Sequence, residues 1–89
     1  MTDQEIRCAI LKYVYDAKKT GKVAMAVLSR ITSDYSVDKK RVLSILRSLK
    51  KEGLLKSVTR GVWVFATDYE ITEEGVRKYQ EKCRESKAD

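Results

Sequence analysis

Residues 36–53 read SVDKKRVLSILRSLKKEG, and this stretch decides the predicted fold. Four apolar residues recur in it at the i, i+3, i+4, i+7 spacing of one helix face: Val42, Ile45, Leu46 and Leu49. Ser36 or Asp38 can cap the start of this helix, and Gly53 stands where a helix commonly ends in a left-handed residue. The pattern predicts an amphipathic helix over about 37–52.

The face opposite the apolar stripe is polar and cationic. The stretch carries six basic and two acidic residues, a net charge of +4, with small serines between the cations. A helix that packs on its own domain by one stripe and presents a cationic face to solvent can read the major groove of DNA. An ordinary amphipathic helix with a solvated charged face is the alternative, and spacing alone does not choose between them.

Composition and charge bound what the chain can be. It has 89 residues, a net charge of +6, 43% hydrophobic residues and 36% charged residues. These values are typical of a soluble globular protein, and the length predicts a single domain over 1–89. The positive balance favours an anionic partner such as nucleic acid. Since no apolar run approaches the roughly 20 residues that span a bilayer, we expect a cytoplasmic protein with no membrane partner.

The residue types used in catalysis and metal binding are scarce. The chain has no histidine, its four glycines are isolated, and Cys8 and Cys83 belong to no metal-ligand spacing. We therefore expect no enzyme activity, no catalytic residue, no metal, no cofactor and no small-molecule substrate. The two cysteines are predicted to be reduced thiols, each half-buried on a helix, rather than a disulfide.

Two helices precede the central one in the prediction. Thr2 and Glu5 have the spacing of a capping box, which predicts where the first helix begins. The predicted elements are a helix over about 3–19, a short extended segment at 22–24, a helix over about 25–33 and a tight connection at 34–36. A short helix followed within a few residues by a basic helix is the helix-turn-helix arrangement.

The pattern changes to a β-strand period after Gly53. Two runs rich in β-forming residues, 54–58 and 62–67, predict an antiparallel hairpin within about 54–71. A tight turn at 59–61 would pair these runs directly, whereas a turn nearer 61–64 would extend the return strand through Ile71. Both registers remain open. In either one, Arg60 lies near the tip, where a cation can meet a phosphate or remain a solvated turn residue.

The last helix is predicted over about 73–85. Thr72 can cap its start, and the acidic side chains of Glu73 and Glu74 favour the positive end of a helix.

This order of elements resembles a winged helix-turn-helix, and two stretches carry the resemblance. Residues 42–55, VLSILRSLKKEGLL, are similar to the recognition helix of small MarR-type and PadR-type prokaryotic regulators and their archaeal relatives, which runs into Gly-Leu-Val or Gly-Leu-Ile. Residues 69–75, YEITEEG, are similar to the Tyr-x-Leu-Thr-x-x-Gly that closes the wing of those proteins. The resemblance covers residues 5 to about 80 and implies an α+β fold: a three-helix core, a β-hairpin wing and a C-terminal helix.

The resemblance implies a transcriptional regulator that binds double-stranded DNA sequence-specifically, with residues 36–52 in the major groove. We expect contacts near base edges from Ser36, Lys39, Lys40 and Ser44. Phosphate contacts are expected from Arg41, Arg47 and Lys51, with Arg60 on the flanking backbone. These residue types read bases less discriminately than a bidentate arginine does, so they do not define a target sequence.

A homodimer is expected because such regulators usually pair two half-sites about one helical turn apart. The predicted contact residues lie in the first and last helices: Leu11, Tyr15, Val76 and Tyr79. The hairpin departs from the family, since Trp63 and Phe65 stand where those regulators often carry basic residues. Two alternative functions follow: a winged-helix module that docks on another protein through this apolar hairpin, and a non-specific nucleic-acid binder.

Overall fold

The structure is a computed structural model, and it describes residues 1–58 and 68–83. Its helices are α1 (Asp3–Lys19), α2 (Val27–Tyr35), α3 (Lys39–Lys51) and α4 (Glu73–Lys78), which continues as a π-helical segment, π1 (Tyr79–Cys83). Its strands are β1 (Leu55–Val58) and β2 (Asp68–Ile71). The predictions for the turn at 59–61, for Arg60, Trp63 and Phe65, and for a helix end at 84–85 fall outside the described residues.

α1 begins at the predicted capping box. The Glu5 amide donates to the Thr2 hydroxyl at 3.1 Å, and the Thr2 amide donates to the Glu5 carboxylate at 2.7 Å. This backbone hydrogen bond is the main reason that the pKa of Glu5 lies below its usual value. The helix ends at Lys19, as predicted, and its buried residues form one wall of the core: Ile6, Ala9, Ile10, Leu11 and Val14.

The segment at 22–24 joins the sheet through one residue. Ala24 and Tyr69 exchange two backbone hydrogen bonds, with N–O distances of 3.2 and 3.0 Å. Two residues later, the Ala26 amide donates to the Asp68 carboxylate at 3.1 Å. These bonds hold the chain beside β2 as far as Ala26, so α2 begins only after it.

α2 therefore covers Val27–Tyr35 instead of the predicted 25–33. The tight connection predicted at 34–36 is wrong for its first two residues, because the helix continues through them. Ser36 ends α2 in the left-handed region, with φ 51° and ψ 44°. A non-glycine residue adopts this conformation at some cost in free energy.

α3 starts after a three-residue connection, 36–38, which completes the helix-turn-helix. Asp38 is its N-cap residue but makes no side-chain capping bond, and the helix is shorter than the predicted 37–52. Gly53 follows its last turn with φ 81°, as the sequence pattern predicts for a helix end. The predicted apolar stripe is buried throughout: Val42, Ile45, Leu46 and Leu49.

The sheet pairs β1 with β2 in antiparallel register. Leu55 lies opposite Ile71, and Val58 lies opposite Asp68. A tight turn at 59–61 would instead place Val58 near residue 62, so that register is wrong and the strand pair follows the alternative that extends through Ile71. Leu55 and Ile71 are each no more than 3% exposed, which places one face of the sheet in the core.

One junction joins the end of α3 to the start of α4. The Thr72 hydroxyl donates to the Gly53 carbonyl at 2.6 Å, and the Thr72 amide donates to the Leu54 carbonyl at 3.0 Å. The same hydroxyl accepts from the Gly75 amide at 3.0 Å. A Cβ atom on Gly75 would lie 2.1 Å from the Leu54 carbonyl oxygen and 2.6 Å from the Ile71 side chain. Only glycine allows this close approach of helix to backbone.

Cys8 and Cys83 form a disulfide, so the prediction of two reduced thiols is wrong. The packing of π1 against α1 brings their Cα atoms to 5.4 Å, although the residues are 75 positions apart in sequence. This separation carries no local pattern from which a pairing could be predicted. In the chain-entropy model, a cross-link that closes a loop of this length stabilises a fold by roughly 4 kcal/mol.

Gly75→Ala should destabilise the protein by about 2–3 kcal/mol, because the methyl group overlaps the Leu54 carbonyl, even though alanine favours helix by itself. The measurement is urea unfolding at pH 7. Arg77→Ala, on the exposed side of the same helix, is the control and should change the unfolding free energy by less than about 0.5 kcal/mol. Equal stability of the two variants would contradict the proposed close contact.

Candidate nucleic-acid interface

The outer face of α3 is an exposed, cationic surface. It consists of four side chains at i, i+4, i+7 and i+11: Lys40, Ser44, Arg47 and Lys51. All four residues are exposed, and they lie opposite the buried stripe that packs on α1 and α2. The outer face carries three positive charges and no carboxylate. No described residue covers this face, so a partner molecule can reach it.

Ser36 and Lys39 lie at the N-terminal end of this surface. Lys39 is the first residue of α3. Ser36, which was predicted to contact bases from the start of this helix, instead ends α2. Both residues are exposed. The turn thus places Ser36 three positions before α3, with a backbone conformation different from that of a helix start.

Arg41 points away from the outer face and toward the start of α1. Its guanidinium donates to the Asp3 carboxylate at 2.9 Å and to the Met1 carbonyl at 2.6 Å. These bonds tie the first turn of α3 to the first turn of α1. Sequence reasoning assigned this side chain to a phosphate, but the structure gives it two partners within the chain.

The acidic residue at the end of α3 is paired by a cation from α1. Arg7 makes two hydrogen bonds to the Glu52 carboxylate, both at 2.9 Å, and the Ser48 hydroxyl donates to it at 3.0 Å. The hydrogen bond from Arg7 lowers the pKa of Glu52, and the same bond raises the pKa of Arg7. This pairing occupies the carboxylate of the residue that directly follows Lys51 in sequence. The sequence offered no signal for it, because the two residues are 45 positions apart.

The charge of Arg47, on the outer face, influences the titration of Tyr69 in β2. Burial raises the pKa of the Tyr69 hydroxyl, and the positive charge of Arg47 opposes this rise. The outer face of α3 therefore carries a charge that acts on a residue of β2.

The four residues predicted for a dimer contact differ in exposure. Leu11 and Tyr79 are 2% and 8% exposed and belong to the core of this chain. Tyr15 and Val76 are partly exposed, and the Tyr15 ring lies 4.9 Å from that of Tyr79. Lys19 covers the Tyr15 ring from a distance of 5.3 Å. Of the four, only Tyr15 and Val76 offer appreciable surface to a second chain.

Residues 1–58 and 68–83 contain neither a metal-ligand group nor a helix that could span a membrane. No group of three or more potential ligands is placed to hold a metal ion. No helix in those ranges has the length and apolar character that a bilayer span requires.

The helix-turn-helix, the antiparallel strand pair and the closing helix form an α+β fold that fits a winged helix. A solved structure of a transcriptional regulator from Clostridium thermocellum has a similar fold, with a TM-score of 0.69 and 22% sequence identity. The match covers 92% of this chain and 80% of that one. No protein-family model and no curated protein matches the chain. At this identity the likeness shows a shared fold.

Replacing Glu52 by Gln should lower stability at pH 7 and have little effect at pH 3. The pKa of Glu52 is lowered in the folded state, so its contribution is present above the usual value of about 4.5 and is lost as pH falls through the folded-state value. Because the pair is partly exposed, the expected loss at pH 7 is only about 0.5–1 kcal/mol. Urea unfolding at both pH values measures it.

The control for this comparison is Glu81→Gln. Glu81 is exposed and makes no ion pair in the part of the chain that the structure describes. Its replacement should change stability little at either pH. If Glu52→Gln instead caused the same loss at pH 3 and pH 7, the ionised pair with Arg7 would not be what stabilises this end of α3.

Proposed function

We propose that this protein is a small transcriptional regulator that binds double-stranded DNA sequence-specifically, with α3 in the major groove. The observation that carries the proposal is the outer face of α3, which is exposed, cationic and free of carboxylates. A helix of this kind fits the width of the major groove, where base edges can be read. The fold shared with the transcriptional regulator from Clostridium thermocellum supports the same function.

The proposed contacts follow the geometry of α3. Lys40 and Ser44 lie in its N-terminal half and are proposed to reach base edges, together with Ser36 and Lys39 at the turn. Arg47 and Lys51, farther along the same face, are proposed to contact phosphates. This division agrees with helix-turn-helix proteins, in which the first turns of the recognition helix enter deepest.

Of the two other arginines expected at phosphates, only Arg41 lies within the described residues. Its guanidinium is held by bonds to Asp3 and Met1, so we assign it first to holding α3 against α1. Arg60 remains a proposed contact to the flanking backbone, and it lies outside the described residues.

We also propose that the protein is related to the MarR-type and PadR-type regulators. The two stretches that resemble those families meet in space, since Thr72 of the second bonds to Gly53 of the first. A junction of this kind gives a physical reason for both motifs to occur in one chain.

Lys40→Gln combined with Arg47→Gln should weaken binding to duplex DNA by about 10- to 100-fold. With about six phosphates engaged, the slope of log K against log salt should be near −5 for the parent protein, and each phosphate contact removed should reduce it by about 1. Fluorescence anisotropy with genomic fragments, random duplex and RNA at several salt concentrations measures both quantities.

The control is Lys18→Gln combined with Lys22→Gln, which also removes two positive charges but does so near the C-terminal end of α1, outside α3. Its affinity should fall by less than about threefold. Equal losses in both double variants would mean that binding depends on net charge instead of on α3. Uniform binding to all duplexes would support a non-specific binder, and no binding to any nucleic acid would favour the protein-docking alternative.

We further propose that the regulator is a homodimer that pairs through α1 and α4. Tyr15 and Val76 line an open groove of about 400 Å³ on this side of the molecule. An apolar groove between two helices is a surface that a second copy could cover. Two copies related by a twofold axis would present two α3 helices to one operator.

Light scattering should give twice the chain mass of 10.2 kDa. Val76→Glu should shift the protein toward monomer, because it places a charge in the proposed contact. Met25→Glu is the control, since Met25 is 58% exposed and lies outside the groove. A monomeric parent protein, or a Val76→Glu variant that stays dimeric, would contradict this pairing.

A further inference from the structure

A cleft of about 400 Å³ lies between α1, the end of α3 and π1. Cys83, which forms the disulfide with Cys8, is one of its lining residues. The other lining residues that matter chemically are Gln4, Arg7, Glu52, Lys78 and Lys82. None of the four outer-face residues of α3 lines this cleft, and it plays no part in the proposed DNA contact.

The cleft has a net positive charge that its own residues do not neutralise. Glu52 is its one acidic lining residue in the described chain, and Arg7 already holds that carboxylate with two hydrogen bonds. Lys78 and Lys82 are one helical turn apart, and neither forms an ion pair within the described residues. Two ammonium groups are thus available to an anion that enters the cleft.

The two cysteines of the disulfide differ in position, since Cys83 is a lining residue of the cleft and Cys8 is not. Cys83 is 7% exposed and Cys8 is half-buried. The Cys8 sulfur accepts a hydrogen bond from the Gln4 side-chain amide at 3.5 Å. A hydrogen bond donated to sulfur favours its thiolate form. Cys8 can therefore leave as a thiolate when Cys83, the cysteine that lines the cationic cleft, is attacked.

We propose that this cleft is a thiol–disulfide exchange site that selects small anionic thiols, meaning low-molecular-weight thiols that carry a carboxylate. The carboxylate binds Lys78 and Lys82, which brings the thiolate of the same molecule next to Cys83. The product is a mixed disulfide on Cys83. The inference is independent of DNA binding.

The exchange is balanced in atoms and electrons. The entering thiolate forms a bond to Cys83 Sγ while the bond between the two protein sulfurs breaks, and its electron pair leaves on Cys8 as a thiolate. Cys8 can then attack the mixed disulfide, which restores the original bond and releases the small thiol. Alternatively, a second small thiol attacks the sulfur of the first small thiol in the mixed disulfide, and Cys83 leaves as a thiolate. The two thiols are then oxidised to their disulfide, and both cysteines are reduced.

The experiment compares three thiols of similar size: 3-mercaptopropionate (anionic), 2-mercaptoethanol (neutral) and 2-aminoethanethiol (cationic). Each rate of exchange with the folded protein is divided by the rate with the same chain unfolded in urea, which removes differences in intrinsic thiol reactivity. At about 10 mM ionic strength the anionic thiol should be favoured over the cationic one by at least tenfold. Screening at about 0.5 M salt should reduce this preference to near one.

Lys78→Gln combined with Lys82→Gln should remove most of the preference. Lys18→Gln combined with Lys22→Gln removes the same charge at the C-terminal end of α1 and is the matched control, which should retain most of it. Lys18 is ten residues from Cys8 on α1, about 15 Å along the helix, and it does not line the cleft, so its charge acts more weakly on an entering thiol than those of Lys78 and Lys82.

Mass spectrometry of the acid-quenched reaction should locate the mixed disulfide on Cys83. Equal rates for the three thiols, an equal loss of preference in both double variants, or adducts on Cys8 alone would each overturn the proposal. Exchange that occurs only after unfolding would overturn it as well. So would the finding that Cys8 and Cys83 are free thiols in protein purified without a reductant.

Discussion

The rest of the structure depends on the hydrogen bonds that Thr72 donates to the backbone carbonyls directly after α3. They hold the start of α4 against Gly53 and Leu54, and Gly75 permits the contact because any side chain there would overlap a carbonyl. As β2 ends immediately before Thr72, the same bonds place the strand pair beside the end of α3. The buried stripe of α3 then faces the core, and its opposite face is left to solvent.

Packing also separates the charges of α3. The side of the helix that faces α1 carries the paired groups, with Arg41 bonded to Asp3 and Glu52 bonded to Arg7. The outer face keeps its cations without a carboxylate among them. The stretch 36–53, which has a net charge of +4, thereby presents an almost purely cationic surface, which is the property that attraction to a phosphate backbone requires.

Much of the candidate site could be predicted because its signals are local. The stripe of α3, the glycine after it and the capping box of α1 each depend on residues a few positions apart, and all three are present in the structure. The start of α2 could not be predicted, since bonds from Ala24 and Ala26 to β2 override the local helix pattern. The role of Arg41 was missed for the same reason: its partner lies on another helix.

The sequence by itself determined which segments are helix or strand and which face of α3 is apolar, because these properties follow from periodicity and capping within one or two helical turns. Tertiary structure alone decided the contacts between Gly53 and Thr72, between Arg7 and Glu52, and between Cys8 and Cys83, whose separations are 19, 45 and 75 residues. Such contacts depend on how whole elements pack, and no pattern among neighbouring residues encodes them. The disulfide, predicted as two free thiols, is the clearest example.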